Sequence, residues 1–488
     1  MTTLAPAAAE GHGEGSDTVT LFGKTMPYKY VVAIVYVTAL FLDILDTTIT
    51  NVAIPTLGRE FGSDNAEWVV LGYTLSLAVW IPTSGWLGDK IGTKKTFMFA
   101  FIAFIFGSLL CACAQSLGQL IAFRIVQGIG GGMLTPVGIA MLFRAFPPIE
   151  RARASTIIMI PTLAAPALGP ILGGLLVTHA NWRWIFIVNV PIGLLGIYIG
   201  VRCLREHKEP SAGRFDIPGF VLSASALALI VYALSEGPRV GWRSAEVLGT
   251  GVLGLVCLVA MIKVETTVER PMLDLRLLQN RIFRQCNLMS LFSSGGFLGL
   301  TFVMPLYLQL LRGMDALSSG LTTFPQALGV MVSSQIAGRL YGRIGPRRLM
   351  SGGLFAAGLV ISMFIFIEVD TNLWLIRGMM FLRGLCMGFA FVPMQAASYA
   401  TIRPQDNGRA SSIFSTQRQV GISLGVAILA SVLASYMPLA TRPTDIDRAL
   451  TGYHVAFGLA VAFTLVAGIC ALFIRDSEAA ATMRARVK

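Results

Sequence analysis

From about residue 30 onward the chain alternates long apolar runs with short polar breaks. Cutting at charges and turn-forming residues leaves about fourteen stretches of 18 or more largely apolar residues: 31–54, 67–88, 96–114, 119–143, 153–177, 183–203, 216–235, 245–263, 284–311, 318–342, 349–367, 373–401, 409–436 and 452–474. A helix rises about 1.5 Å per residue, so about 20 apolar residues cross a hydrocarbon core of about 30 Å. The pattern predicts an all-α polytopic membrane protein with fourteen transmembrane helices.

Composition sharpens this. The chain is 55% hydrophobic and only 13% charged, with mean hydropathy +0.70. A soluble chain of this length needs more polar surface, whereas lipid removes that requirement. The 51 glycines suit helices that approach closely within a bilayer. A net charge of +12 raises the question of nucleic acid, but the basic residues sit in short loops between apolar runs, which argues against it. Cys111, Cys113, Cys203, Cys257, Cys286, Cys386 and Cys470 fall in or beside apolar stretches and read as packing residues, without disulfide or metal spacing. The four histidines form no ligand-spaced cluster, and no nucleophile–base set or phosphate loop suggests an enzyme. Residues 1–28 are polar and Ala/Gly-rich, and no small-residue cleavage site follows the first apolar run, so a disordered tail is expected rather than a signal peptide.

Charge asymmetry predicts orientation. About 27 of the 38 Lys and Arg residues lie in the tails and even-to-odd loops, against about eight on the other side. Both termini are therefore expected in the cytoplasm of a multi-pass cell-membrane protein. An internal repeat organises the chain further. Gly85-Trp-Leu-Gly-Asp-Lys-Ile-Gly-Thr-Lys-Lys95 recurs as Gly338-Arg-Leu-Tyr-Gly-Arg-Ile-Gly-Pro-Arg-Arg348. Arg153-Ala-Ser and Leu168-Gly169 recur as Arg409-Ala-Ser and Leu424-Gly425 at an offset of 256. Helices 1–6 thus repeat in parallel as helices 9–14. The expected units are a tail (1–28), a six-helix bundle (29–205), two linker helices (206–270), a second six-helix bundle (271–476) and a short cytoplasmic tail (477–488). Parallel repeats of this kind place a substrate site near the midplane of their interface.

Two carboxylates, Asp43 and Asp46, lie inside the first apolar run. A charge at the centre of a spanning helix costs roughly 2.5–3.5 kcal/mol on insertion scales, so such residues face a protein interior. Counting residues puts Asp46 roughly 22 Å from the cytoplasmic edge. Arg124 enters helix 4 from the opposite face and reaches about the same depth, so the two are level and contact is open to them. The other reading is that Arg124 snorkels to the outer interface. Asp43 lies three residues earlier, and its role stays open between a second proton site, part of a substrate pocket and a structural hydrogen bond. In the Gly85–Lys95 loop, Gly85 and Gly92 allow tight turns. Asp89, among Lys94, Lys95 and other basic neighbours, suits a cytoplasmic gate that pairs with a cation or with a helix N-terminus. In helix 5, Gly169, Pro170, Gly173 and Gly174 suit either a rocking interface or a close-packed kinked helix. Gln127, Arg383 and Arg418 are further candidates for a central cavity, with no acid in the core of helices 9–14.

At these motifs the chain resembles the major facilitator superfamily, in particular its fourteen-helix drug:proton antiporter branch. Gly85–Lys95 is similar to the superfamily's cytoplasmic loop motif, and Arg124-Ile-Val-Gln-Gly128 to its helix-4 motif. Gly169-Pro170-Ile-Leu-Gly-Gly174 resembles the antiporter motif, with Ala165 where a glycine is expected. Asp46–Pro55, Asn181–Gly193 and Pro305-Leu-Tyr-Leu-Gln309 add to the likeness. The resemblance implies an exporter of lipophilic, often cationic drugs, driven by the proton gradient without a cofactor, and with no eukaryotic sorting signal in the sequence a bacterial membrane is expected. It implies proton coupling at Asp46 and Arg124 and a gate at Asp89. A dedicated exporter of one endogenous metabolite, siderophore, lipid or antibiotic is the alternative, and a receptor or channel a more distant one. A periplasmic adaptor is left open.

Overall fold

The computed structural model describes residues 18–483 except 22, 64, 65, 67, 210–215, 269, 270, 272 and 438–444, with Pro55, Ile160, Pro161, Leu163, Ala167, Pro170, Thr178 and Ala316 described as helical backbone only. Sixteen helices follow in order: α1 (Tyr28–Phe61), α2 (Trp68–Ile91), α3 (Thr93–Ala112), α4 (Leu117–Ala145), α5 (Arg151–His179), α6 (Trp184–Ile187), α7 (Asn189–Cys203) and α8 (Ile217–Val240). After them come α9 (Ala245–Thr267), α10 (Arg281–Leu306), α11 (Ala316–Thr323), α12 (Pro325–Ile344), α13 (Pro346–Met363), α14 (Leu373–Ser398), α15 (Asn407–Tyr436) and α16 (Ile446–Leu472).

Among the described residues, 13 helical runs are long and apolar enough to cross a membrane. The stretch expected as one helix at 318–342 is instead split into α11 and α12. Pro325, which has no N–H to give the preceding turn, opens α12 directly after Phe324. The stretch at 183–203 is likewise α6 and α7, and α10 runs on into a π turn at Tyr307–Leu311.

The helices pack as two copies of one arrangement. In the first half α1 packs on α5, α2 on α4, and α3 on α4 and α7. In the second half α10 packs on α15, α12 on α14, and α13 on α14 and α16. Helices α8 and α9 pair with each other, and α8 lies along α2 and α15 at the seam between the halves. Trp80 meets Phe220 there, and Ala78 packs with Leu227 and Val231. The outer side of α9 is exposed at Val252, Leu255, Val256 and Val259, as a lipid-facing surface requires.

Both expected tails are partly ordered. Residues 1–17 lie outside the described residues, but Thr18–Leu21 (β1) and Lys24–Pro27 (β2) pair antiparallel around Gly23 at φ 77°. Paired Val19 and Met26 pack against the core, which gives this segment an apolar anchor that a disordered tail lacks. At the other end Asp476–Thr482 forms a 3-10 turn whose Thr482 Oγ1 lies 2.7 Å from Tyr341 Oη. Lys29, just after the hairpin, pairs with Glu150 at 2.6 Å, and the segment Pro148–Glu150 touches the C-terminal turn. The two ordered termini therefore share one face, called here the terminal face.

Candidate functional site

Asp46 and Arg124 meet. Arg124 Nη1 and Asp46 Oδ2 form an ion pair in which both side chains are fully buried. Gln127 Nε2 and Asn189 Nδ2 donate to Asp46 Oδ1 at 3.0 and 2.8 Å. Arg124 also donates to Gln127 Oε1 at 2.7 Å and to the Val69 carbonyl at 3.1 Å. Asn189 reaches Ser108 Oγ at 3.1 Å, so the cluster ties α1, α2, α3, α4 and α7 together. Small residues make this possible. A Cβ at Gly107 would stand 2.6 Å from the Gln127 Cα, and one at Gly128 would stand 2.8 Å from the Tyr73 carbonyl. Separating charges buried this deeply costs several kcal/mol.

Tyr73 links this pair to Asp43. Its ring lies 4.2 Å from the Arg124 guanidinium, while its hydroxyl donates to Asp43 Oδ1. Gly131 leaves the space for that hydroxyl, since a Cβ there would come within 2.2 Å of it. Asp43 is buried on α1 within electrostatic reach of Arg418 on α15, across the seam. Tyr36 and Tyr399 lie within reach of the same guanidinium, and neither hydroxyl has a hydrogen-bond partner.

The remaining central candidates separate. Gln127 belongs to the Asp46 cluster and not to a cavity wall, because its amide is consumed by Asp46 and Arg124. Arg383 is fully buried and donates to Gln326 Oε1 and, at 2.5 Å, to the Phe297 carbonyl, with the Phe297 ring 4.5 Å away. Arg418 lines a cavity of about 150 Å³ at the seam, together with Thr162, Phe297, Gln326, Phe391 and Phe414.

The duplicated loops carry contacts between the two halves at the terminal face. The Gly85 N–H donates to Ser412 Oγ at 2.9 Å, and a Cβ at Gly85 would stand 2.5 Å from the Gly408 carbonyl oxygen. Asp89 is buried against Gly408, where an added Cβ would lie 2.7 Å from its Oδ1. Both partner types expected for Asp89 stand near it: the first turn of α15, and the guanidinium groups of Arg409 and Arg144 within electrostatic reach. The second copy mirrors this, with a Cβ at Gly338 standing 2.8 Å from Thr156 Oγ1 on α5. Arg151 adds a hydrogen bond to the Tyr399 carbonyl, and Arg144 one to the Pro404 carbonyl at 3.4 Å.

Gly92 and Gly345 turn at φ 119° and 90°, conformations that L side chains rarely adopt. Each turn is covered by a carboxylate from beyond the sixth helix of its own half. Glu206 accepts from the N–H groups of Lys94 and Lys95 at 3.0 and 3.2 Å, and Asp476 from that of Arg347 at 2.9 Å. Lys94 Nζ reaches the Val201 carbonyl at 2.8 Å. Glycines of the helix-5 motif serve packing inside the first half. A Cβ at Gly169 would come within 2.3 Å of Thr48 Oγ1, one at Gly173 within 3.2 Å of Val52, and one at Gly174 meets nothing. Gly169 and Gly173 seat α5 on α1 rather than at the seam, and the side chain of Pro170 lies outside the described residues.

Sequence reasoning missed Asn189, Ser108, Tyr73, Glu206 and Asp476. Asn189 carried the one usable signal, an amide in the middle of an apolar run.

The family model described as Major Facilitator Superfamily matches residues 36–426 and 327–486. The chain is 37% identical over 398 residues to the multidrug resistance protein B homolog of Mycobacterium tuberculosis, covering 80% of this chain and 74% of that protein. It is 31% identical over 398 residues to the putative multidrug resistance protein MdtD of Serratia proteamaculans, covering 81% and 83%. The fold is similar to that of the crystal structure of the human organic anion transporter MFSD10, with TM-score 0.62 and 18% identity over 90% of this chain and 100% of that one. With its duplicated helix packing and this match along most of its length, the chain belongs to the major facilitator superfamily.

Proposed function

We propose that the protein is a proton-coupled exporter of lipophilic small molecules in a bacterial cell membrane, with the terminal face in the cytoplasm. Relatives named as multidrug resistance proteins support the export role. The observation that carries the coupling is the buried Asp46–Arg124 pair and its connection, through Tyr73, to Asp43 near the seam. A proton delivered to Asp46 removes its charge and leaves Arg124 buried without a counter-ion. That state is unfavourable by several kcal/mol, so the cluster rearranges. Tyr73 touches both Arg124 and Asp43 and passes the change to the face opposite Arg418.

The contacts at Gly85 and Gly338 support alternating access as the mode of transport. Both seal the terminal face, while the cavity lies further along the same helices toward the opposite face. A cavity of about 150 Å³ matches an engineered one that admits benzene, and a drug-sized occupant needs several hundred Å³. Loading from the cytoplasm therefore requires the two glycine contacts to part.

Purified protein in proteoliposomes tests this. An imposed pH gradient should drive fluorescent amphiphiles against their concentration gradient. Asp46→Asn should abolish that accumulation while preserving downhill exchange. Accumulation that survives in Asp46→Asn removes Asp46 from coupling, and accumulation that survives collapse of both the pH gradient and the membrane potential removes the proton.

A further inference from the structure

The cavity wall carries one formal charge among its described residues, and it is positive. Arg418 lines the space with no hydrogen bond or ion pair to any described residue, and no Asp or Glu contributes to the lining. A second cation stands directly behind. Arg383 is fully buried and touches the cavity residues Gln326 and Phe297, and no described carboxylate pairs with it. Its Nε also lacks a partner. Asp43 stands within electrostatic reach of Arg418, but no acid of the first half forms an ion pair with either cation. Asp46 is consumed by Arg124, Gln127 and Asn189, and Asp43 is buried beneath the Tyr73 hydroxyl. Around the two cations the wall is aromatic and aliphatic, including Phe297, Phe391, Phe414 and Met394. Guanidinium groups held without a hydrogen-bonded carboxylate in so apolar a setting are stabilised when an anion docks on them.

We infer that this cavity takes amphiphilic anions, with a carboxylate or comparable acidic group docked on Arg418 and the hydrocarbon or ring system against the phenylalanines. The guanidinium fork matches a carboxylate through two parallel hydrogen bonds. The orphan hydroxyls of Tyr36 and Tyr399, near the same guanidinium, are available as further donors. This replaces the cation expected from the family resemblance. It rests on the proposed function in taking the seam cavity as the substrate's place.

The experiment is equilibrium binding to purified protein in nanodiscs at about pH 7.5, where a carboxylic acid is ionised. The probes are 11-(dansylamino)undecanoic acid, its methyl ester and its trimethylammonium analogue, which share a chain and differ in charge. The acid should bind the wild type at least about tenfold tighter than the ester, the size of one charge-assisted hydrogen-bonded contact. Arg418→Gln should bring acid and ester to the same affinity with ester binding unchanged, which also reports a folded protein. Arg418→Lys should keep most of the preference. Equal binding of acid and ester by the wild type overturns the inference, as does tightest binding of the ammonium analogue. An acid preference that persists in Arg418→Gln also overturns it. The wild-type comparison decides even where the variants do not fold. Gradient-driven transport of the ammonium probe alone sinks the anion reading and leaves the exporter standing. Arg418-dependent acid binding without any gradient-driven flux does the reverse.

Discussion

Asp46 accepts hydrogen bonds from side chains on α4 and α7, and each donor constrains what can replace it. Asn189→Leu removes one donor and leaves Ser108 and Asp46 each short of a partner. A stability loss of about 1–3 kcal/mol is expected, read as a lower Tm in detergent. Arg124→Lys keeps the charge, but a single ammonium cannot span Asp46, Gln127 and the Val69 carbonyl as the guanidinium does. Proton-driven flux should fall at least about tenfold in that variant, equivalent to about 1.4 kcal/mol. The pairing of Asp46 with Arg124 was legible because depth in a bilayer can be counted along each helix. Tyr73 and Asn189 were not, since a phenol or an amide within an apolar run gives no indication of which neighbouring helix it meets. Gln127 was read as a cavity residue because spacing alone does not reveal which face of α4 turns toward α1.

At the scale of elements, the repeated loops show how close packing substitutes for side chains. Gly85→Val places a side chain where α15 backbone already stands, within 2.5 Å of its Cβ position. The two helices must then separate, so the variant should insert in the membrane yet fail to close the terminal face. A cysteine pair at Ser84 and Ser412, whose hydroxyl oxygens are 3.2 Å apart, reports this contact directly. In a background freed of native cysteines the pair should cross-link and stop transport, with reduction restoring it. Gly85→Val should prevent that cross-link, and an unchanged cross-linking yield would show that the added side chain is accommodated. The loops themselves were legible from their repeated glycines and basic residues. Their carboxylate covers were not, because Glu206 and Asp476 lie more than a hundred residues from the turns they cover and look like ordinary polar ends of helices. The break at Phe324 was hidden for a different reason: a proline at the first position of a helix and a proline inside one look alike in an apolar run.

Across the whole molecule, the two six-helix copies and the paired α8 and α9 followed from the repeat, whereas the order of the two termini depends on tertiary contacts. The proposed orientation can be read from a native residue. Cys113 is exposed at the end of α3 away from the terminal face. A membrane-impermeant maleimide should therefore label it in intact cells, and Cys113→Ser should remove the signal. Labelling of Cys113 only in inverted vesicles would reverse the assignment. The anion site inferred at the cavity also has an electrical consequence. A carrier that sends an anion outward while a proton moves inward passes two charges in the same sense each cycle, so it produces a current. A potential of 100 mV, negative inside, then contributes about 4.6 kcal/mol per cycle. Transport would continue with the pH difference abolished and voltage alone applied, and substrate addition would register as an inward current on a supported membrane.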